Sequence, residues 1–174
     1  VIGLDLMGGD LAPGACVEAC ATALAQGMRV AAFGTAEAVE AVQKRVASPN
    51  LTTRVCADTV SADDSPVSAI RDKPDSSVRR GIEAVKEGET SAFVSAGSTG
   101  ALVAGGVMLL GRAKGVDKPC LATVLPTESG KGVLFLDLGA SADARPDTLV
   151  QYAMMGDIYA KEVLGWENPR VSLL

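Results

Sequence analysis

The strongest constraint on this chain is a repeated alternation of short apolar runs with longer amphipathic runs. The longer runs carry helix periodicity and end signals, such as Thr35 before one run and Gly88 after another. We predict strands over residues 1–6, 29–33, 51–57, 91–95, 119–125 and 132–136, and helices over residues 15–26, 36–46, 78–87, 101–110 and 147–164. Near-continuous apolar strands that alternate with helices predict an α/β fold with a mainly parallel sheet covered on both faces.

Two stretches depart from this alternation. Residues 61–77 (SADDSPVSAIRDKPDSS) contain two prolines and many polar residues, so we predict a loop with one helical turn near 67–70. Residues 170–174 are predicted to be another strand, and domains rarely end inside a strand. We therefore expect residues 1–174 to be a single α/β domain, the N-terminal portion of a longer chain whose C-terminal half lies outside this sequence.

The composition excludes several classes of function. The chain has no histidine, which excludes a His-based zinc site, a Ser-His-Asp triad and an imidazole proton shuttle. Any catalysis must then use carboxylates, hydroxyls, Lys or Arg, Cys, or backbone amides. A net charge of -5 and an aromatic content of 3% also argue against nucleic acid as a partner.

The cysteines and the hydropathy pattern indicate a cytoplasmic protein. Cys16, Cys20, Cys56 and Cys120 include no CxxC pair, so we interpret them as small buried residues in a reducing compartment, with no metal site. The longest uncharged apolar stretch, residues 100–111, is shorter than the roughly 20 residues of a membrane span. The first ten residues lack the basic segment of a signal peptide.

The turn Ser95-Ala96-Gly97-Ser98-Thr99-Gly100 is the first candidate site. It follows a predicted strand and opens a predicted helix, so its backbone N–H groups would converge beside three hydroxyls, as phosphate sites require. It is neither the dinucleotide fingerprint nor a Walker A loop, and a tight turn also needs glycine for packing alone. Anion binding and simple packing both remain open here.

Two further segments carry charge near strand or helix ends. Asp5 and Asp10 flank a glycine pair after the first strand, and Asp10 is either a functional carboxylate or a cap on the following helix. Arg71 and Lys73 lie in a run that suits a phosphate or an acidic partner, although a solvated charged loop has the same composition.

A third segment follows the predicted strand 132–136. Asp137, Ser141 and Asp143 place two carboxylates and a hydroxyl where a nucleophile could be oriented, although Asp143 could simply precede a helix as a cap. A small basic stretch after the apolar helix is either a solvated helix end or a docking surface, and consists of Arg112, Lys114 and Lys118. Together these segments predict an α/β protein that binds an anion at the ends of its strands.

Six motifs occur in a characteristic order: DLMGGDLAP (5–13), DDSPVSAIRDKPDSS (63–77), AFVSAGSTGALVAGG (92–106), LGRAKGVDKPCLATVLPT (110–127), LDLGASADARPDTLVQYAMMGDIYAKEVLG (136–165) and ENPRVSLL (167–174). In this order they resemble the bacterial phosphate acyltransferase family PlsX, the fatty acid/phospholipid synthesis proteins. The family pattern usually has Asn where this chain has Ser98 and Ser141.

The resemblance implies an enzyme that converts acyl carrier protein thioester and inorganic phosphate to acyl phosphate and free carrier protein, for bacterial phospholipid synthesis. It implies a three-layer α/β/α fold similar to that of the isocitrate and isopropylmalate dehydrogenases. It also implies a homodimer, no cofactor, and peripheral membrane association through the missing C-terminal part.

The resemblance also suggests a hypothesis for the residues. Phosphate would be held by Gly97, Ser98, Thr99 and Gly100, with Arg71 or Lys73 offsetting its charge. Donors to the thioester carbonyl would be Ser95 and Ser141, oriented by Asp10, Asp137 and Asp143. The acidic carrier protein would dock on Arg112, Lys114 and Lys118.

Three other functions stay open at this point. A phosphotransacetylase would use acyl coenzyme A in the same chemistry. A diverged, non-catalytic module would bind acyl carrier protein without turnover, which the replacements at Ser98 and Ser141 leave open. A nucleotide-dependent dehydrogenase is the weakest alternative, because the chain lacks a dinucleotide fingerprint.

Overall fold

The structure, a computed structural model, describes residues 1–61, 63–128, 130, 132–138 and 145–173. It divides into two compact units, Val1–Gly111 and Arg112–Leu174, and each is described by itself. The strands of the first unit are β1 (Ile2–Asp5), β2 (Val30–Gly34), β3 (Leu51–Val55) and β4 (Ala92–Val94). Its helices are α1 (Gly14–Ala25), α2 (Ala36–Arg45), α3 (Pro66–Arg71), α4 (Ser77–Lys86) and α5 (Thr99–Gly105), and a π-helical segment (Gly106–Leu110) continues from α5.

The four strands form one parallel sheet in the order β3-β2-β1-β4. Leu4 in β1 is paired with Ala32 in β2 and with Val94 in β4. Because every strand is parallel, all carboxyl ends lie along one edge of the sheet, where ligands of such folds bind. The predicted parallel sheet is confirmed.

Helices cover both faces of this sheet, as β2 shows. Val30 and Ala32 pack in one core cluster with buried residues of α1 and α2. Phe33 points to the opposite face, where it packs with Cys56 and with Ala84 of α4. Since successive strand side chains alternate between faces, the unit has three layers, and the predicted α/β/α class is confirmed.

Local end signals position two of these helices. The Thr35 hydroxyl accepts a hydrogen bond from the Ala38 amide at 3.3 Å and caps α2, as its position predicts. At α4 the cap is Ser76, whose Oγ accepts from the Arg79 amide at 3.3 Å. The helix predicted over 78–87 would place the cap at Ser77, which is wrong by one residue because Ser77 already forms the first position of the helix.

Three sequence expectations differ from the structure. The helical turn predicted near 67–70 within the loop 61–77 is present but longer, as the six-residue helix α3, which Pro66 opens with a φ suited to a first helical turn. The single helix predicted over 101–110 changes from α to π geometry after Gly105. Residues 170–173 have no regular structure, so the strand predicted there is wrong for the described residues.

The second unit contains β5 (Ala122–Leu125), β6 (Val133–Leu136) and α6 (Pro146–Glu162). The two strands pair antiparallel, with Thr123 opposite Phe135. Leu136 lies close to Gly156, where an ideal Cβ would be 2.7 Å from Leu136 Cδ1, so α6 packs closely on β6. Throughout the described residues, no helix is long and apolar enough to cross a membrane.

Candidate functional site

The turns after β1 and β4 lie against each other at the carboxyl edge of the sheet. Gly8 is buried, and an ideal Cβ there would lie 2.7 Å from both the Gly97 amide nitrogen and Ser95 Oγ. Gly9 has a φ of +92°, and its ideal Cβ would lie 3.2 Å from the Ala96 carbonyl oxygen. The glycine pair therefore lets two backbone turns approach more closely than any side chain would allow.

A buried carboxylate joins these turns. Asp5, the last residue of β1, is 1% exposed. Its Oδ1 accepts a hydrogen bond from the Met7 amide at 2.9 Å, and its Oδ2 accepts one from the Ser95 hydroxyl at 2.6 Å. Ser95 Oγ in turn accepts from the Gly97 amide at 3.0 Å. The bonds form a chain from the first strand to the first predicted site.

Beyond Gly97 the turn presents amide groups that are free to bind. Ser98 Oγ accepts from the Ala101 amide at 3.3 Å and caps α5. The amides of Ser98, Thr99 and Gly100 donate to no acceptor within the described part of the chain. Thr99 is exposed, and the other two residues are half-buried. Three free donors beside two hydroxyls suit an anion.

The N-terminus of α3 lies beside this turn. An ideal Cβ on Gly100 would lie 2.7 Å from Pro66 Cγ, so the first residue of α3 packs directly on the first turn of α5. This short helix, which the sequence predicted as one helical turn near 67–70, therefore forms one wall of the candidate site.

The two cations expected to offset the charge of phosphate each pair with a carboxylate. Arg71 donates to Asp72 through Nε at 2.7 Å and Nη2 at 3.0 Å, and this contact raises the pKa of the Arg71 guanidinium. Lys73 contacts Asp64 Oδ2 and donates to the Thr59 carbonyl at 2.8 Å. The Lys73 contact is the main cause that lowers the pKa of Asp64. Lys73 thus links Thr59 to Asp64 across the loop before α3.

Asp10 is exposed and does not cap α1. That helix has Pro13 at its N-cap position and no side-chain cap, so the alternative that Asp10 caps it is wrong. Among the described residues, Asp10 makes no side-chain hydrogen bond or ion pair, which leaves its carboxylate accessible beside Gly9.

The remaining predicted residues belong to the second unit. Asp137 follows β6 with a φ of +62°, its amide donates to the Leu121 carbonyl at 2.7 Å, and its Oδ1 is buried without a partner in the described residues. Burial and, second, Asp137 raise the pKa of the Cys120 thiol. Ser141 and Asp143 lie outside the described residues. The basic stretch is exposed in all three positions: Arg112, Lys114 and Lys118.

Sequence reasoning missed the role of Asp5. The available signal was a carboxylate as the last residue of an otherwise apolar strand, but the partner of Asp5 lies 90 residues away. It also missed a second linkage at the same edge, where Asp75 accepts from the Ala57 amide at 2.9 Å and from Arg80 Nε at 2.8 Å. Arg80, followed by the Ala57 amide, holds the pKa of Asp75 below its usual value.

All four cysteines are free thiols. Cys16, Cys20 and Cys56 are buried as predicted, whereas Cys120 is half-buried, so the prediction of burial is wrong there. In the ranges that the structure describes, no three Cys, Asp or Glu side chains gather in a way that could hold a metal ion.

Comparisons with known proteins agree with the motifs. A family model described as fatty acid synthesis protein matches residues 1–174. The chain is 49% identical over 175 residues to a phosphate acyltransferase of Lysinibacillus sphaericus (strain C3-41). It is 46% identical to one of Staphylococcus haemolyticus (strain JCSC1435) and 43% identical to one of Staphylococcus aureus (strain bovine RF122 / ET3-1). Each alignment covers 99% of this chain and 52% of the relative, so the chain spans about half the length of the curated relatives it matches.

Proposed function

Since this chain belongs to the fatty acid synthesis protein family, we propose that the whole protein carrying it is a phosphate acyltransferase that uses acyl carrier protein thioesters. The observation that carries the proposal is identity of 43–49%, over 99% of the chain, to relatives named phosphate acyltransferase. The products are acyl phosphate and free carrier protein, and acyl phosphate serves phospholipid synthesis. The whole protein is further proposed to be a cytoplasmic homodimer that associates peripherally with the membrane.

Phosphate is held at the turn between β4 and α5. The free amides of Ser98, Thr99 and Gly100 and the hydroxyls of Ser98 and Thr99 supply its donors. Arg71 or Lys73 offsets its charge after exchanging its present carboxylate partner. This assignment is supported by the donor-rich geometry and by the location at the carboxyl edge of a parallel sheet.

The reaction needs little from the protein beyond positioning and charge stabilisation. An oxygen of bound phosphate attacks the thioester carbon, the new C–O bond forms, and negative charge develops on the carbonyl oxygen. The C–S bond then breaks, and the pantetheine thiolate leaves without an obligatory acid because an ordinary thiol has a pKa of about 8.5. This chemistry suits a chain without histidine.

Further hydroxyl and carboxylate groups of the chain are proposed to take part in the reaction. Ser141 is the proposed donor to the carbonyl oxygen, because the Ser95 hydroxyl already donates to Asp5. Asp10, Asp137 and Asp143 are proposed to orient these groups rather than to act as bases.

The first experiment measures acyl-phosphate formation by the whole protein from long-chain acyl carrier protein and phosphate, with acyl coenzyme A in parallel. Turnover of the acyl carrier protein supports the proposal. Turnover of acyl coenzyme A but not of acyl carrier protein favours a phosphotransacetylase. Binding of the carrier protein without turnover would instead indicate the diverged module.

The phosphate site is tested by Thr99→Val and Lys73→Met. Each should raise the phosphate KM, whereas the matched variants of exposed residues outside the site, Thr52→Val and Lys86→Met, should not. An unchanged phosphate KM in both site variants rejects the assignment of this turn.

Carrier-protein docking is proposed for the exposed basic stretch in the second unit. Since the chain is acidic overall, an acidic carrier protein needs a local positive surface. Lys114→Glu and Lys118→Glu should weaken carrier-protein binding more strongly at low than at high ionic strength. Lys86→Glu is the charge-matched control, and equal losses at all salt concentrations would contradict docking at this stretch.

A further inference from the structure

Within the part of the chain that the structure describes, two donors bind the carboxylate of Asp5. The Met7 amide binds Oδ1 at 2.9 Å and the Ser95 hydroxyl binds Oδ2 at 2.6 Å, while no ion pair to Asp5 occurs among the described residues. A carboxylate that is 1% exposed requires such donors, and its hydrogen bonds are stronger than neutral ones. Losing either bond would leave a buried polar atom unpaired.

The Ser95 hydroxyl has one proton to donate. A serine hydroxyl offers one donor and two acceptor lone pairs. The Ser95 hydroxyl donates its proton in a hydrogen bond to Asp5, and one of its lone pairs accepts a hydrogen bond from the Gly97 amide at 3.0 Å. Ser95 therefore connects a buried carboxylate to the backbone of the turn. The Gly97 amide points toward Ser95, while the following three amides donate to no acceptor among the described residues.

Close backbone packing limits any other arrangement of the turn. The absence of a side chain at Gly8 brings the β1 turn to the Gly97 amide and Ser95 Oγ. An ideal Cβ on Gly97 would lie 3.2 Å from the Gly8 Cα and 3.7 Å from Asp5 Oδ2. The bond between Asp5 and Ser95 therefore lies inside the close contact between the two turns.

From these contacts we infer that Asp5 is a positioning residue that acts through Ser95 to set the shape of the turn at 95–100, and that Ser95 does not donate to the thioester carbonyl. The inference rests on the proposed function, because it assigns the turn to phosphate. It replaces the sequence-based hypothesis of Ser95 as a donor to the thioester with a role in holding the phosphate site.

Enzyme kinetics of the whole protein separate the two roles of Ser95. Asp5→Asn keeps an acceptor for the Met7 amide but presents an NH2 group to Ser95, which releases the serine proton. Ser95→Ala removes both bonds of the hydroxyl. Each variant should raise the phosphate KM by roughly 10- to 100-fold with a smaller change in kcat, and the double variant should lose no more than the worse single variant.

The opposite kinetic result would overturn the inference. If Ser95 donates to the thioester carbonyl, Ser95→Ala lowers kcat at an unchanged phosphate KM, and Asp5→Asn keeps or raises kcat because the proton is free. Ser91→Ala, an exposed serine just before β4, is the matched control and should leave both constants unchanged.

Amide hydrogen exchange tests the inference without relying on activity. In Asp5→Asn and in Ser95→Ala, a peptide covering residues 95–101 should exchange faster than in the wild type, while a peptide covering 36–45 should not change. Ser95→Ala serves alone if Asp5→Asn does not fold. A wild type without turnover refutes the proposed function, whereas unchanged exchange at 95–101 refutes the positioning role even in an active enzyme.

Discussion

The phenyl ring of Phe93 occupies the space that a side chain on Gly81 would require. An ideal Cβ on Gly81 would lie 2.0 Å from Phe93 Cε2. The ring cannot move away freely, because it packs edge-to-face on Phe33 with centroids 6.0 Å apart and an interplanar angle of 85°. Helix α4 therefore lies on the sheet through a contact between backbone and ring.

We expect Gly81→Ala to lower the free energy of unfolding by about 1–3 kcal/mol, because the added methyl group overpacks this contact. In an exposed helix interior, the same change would stabilise by roughly 1 kcal/mol. Urea unfolding of the whole protein measures whether the substitution lowers or raises the free energy of unfolding. The control is Gly14→Ala in α1, where an ideal Cβ meets nothing within 4 Å. Equal or greater stability of Gly81→Ala would contradict the packing described here.

Gly8→Ala should damage the candidate site directly. Its Cβ would lie 2.7 Å from the Gly97 amide nitrogen, which is backbone and cannot rotate away. We expect a loss of about 1–3 kcal/mol in the free energy of unfolding and a higher phosphate KM. Acyl-phosphate kinetics and urea unfolding, again against Gly14→Ala, measure both effects. A phosphate KM equal to that of the wild type would show that the two turns do not act together.

Ser98 caps α5. Asn, which the family pattern usually has at this position, can cap a helix equally well. Ser98→Ala should cost about 1 kcal/mol because the Ala101 amide loses its acceptor, whereas Ser98→Asn should be nearly neutral. Thermal or urea unfolding checks the difference. If Ser98→Ala and Ser98→Asn lose the same stability, the capping bond is not the role of this side chain.

The Cys56 thiol should react slowly with alkylating reagents near neutral pH. Burial, followed by Asp75, raises its pKa to about 11. At pH 8 only about one thiol in a thousand is then the reactive thiolate. Iodoacetamide labelling followed by mass spectrometry should show a rate that rises until about pH 11. A rate that levels off near pH 9 would contradict the effect of burial.

The same raised pKa predicts how stability depends on pH. Between about pH 9 and 11 the folded thiol keeps its proton while the unfolded thiol loses it, so the free energy of unfolding falls as the pH rises. The free energy of unfolding of Cys56→Ala should fall less steeply over this interval than that of the wild type, because the variant lacks this thiol and shares every other titrating group. Identical declines would argue against a raised Cys56 pKa in the folded state.

The sequence predicted the α/β class and most elements because their signals lie among near neighbours. Thr35 precedes its helix by one residue, and Pro146 stands where α6 begins. The errors fall where such signals conflict. Polar residues around Pro66 led to a prediction of only one helical turn where the six-residue α3 lies, and apolar residues after Gly105 gave no sign of the change to π geometry.

The candidate site was predictable as a segment but not as a set of contacts. Glycines and hydroxyls between a strand and a helix identified the turn at 95–100. Nothing in the residue types showed that Arg71 pairs with Asp72, or that Lys73 holds the loop before α3. Charged side chains choose partners by distance in the folded chain, which a linear pattern does not contain.

By itself the sequence determined the alternation of strands and helices, the parallel sheet and the family, because periodicity, caps and ordered motifs are properties of neighbouring residues. Only the tertiary structure decided that β4 lies beside β1 and thereby brings Ser95 to Asp5. Strand order depends on how entire layers bury their apolar faces, so a hydrogen bond that spans 90 residues leaves no local signal.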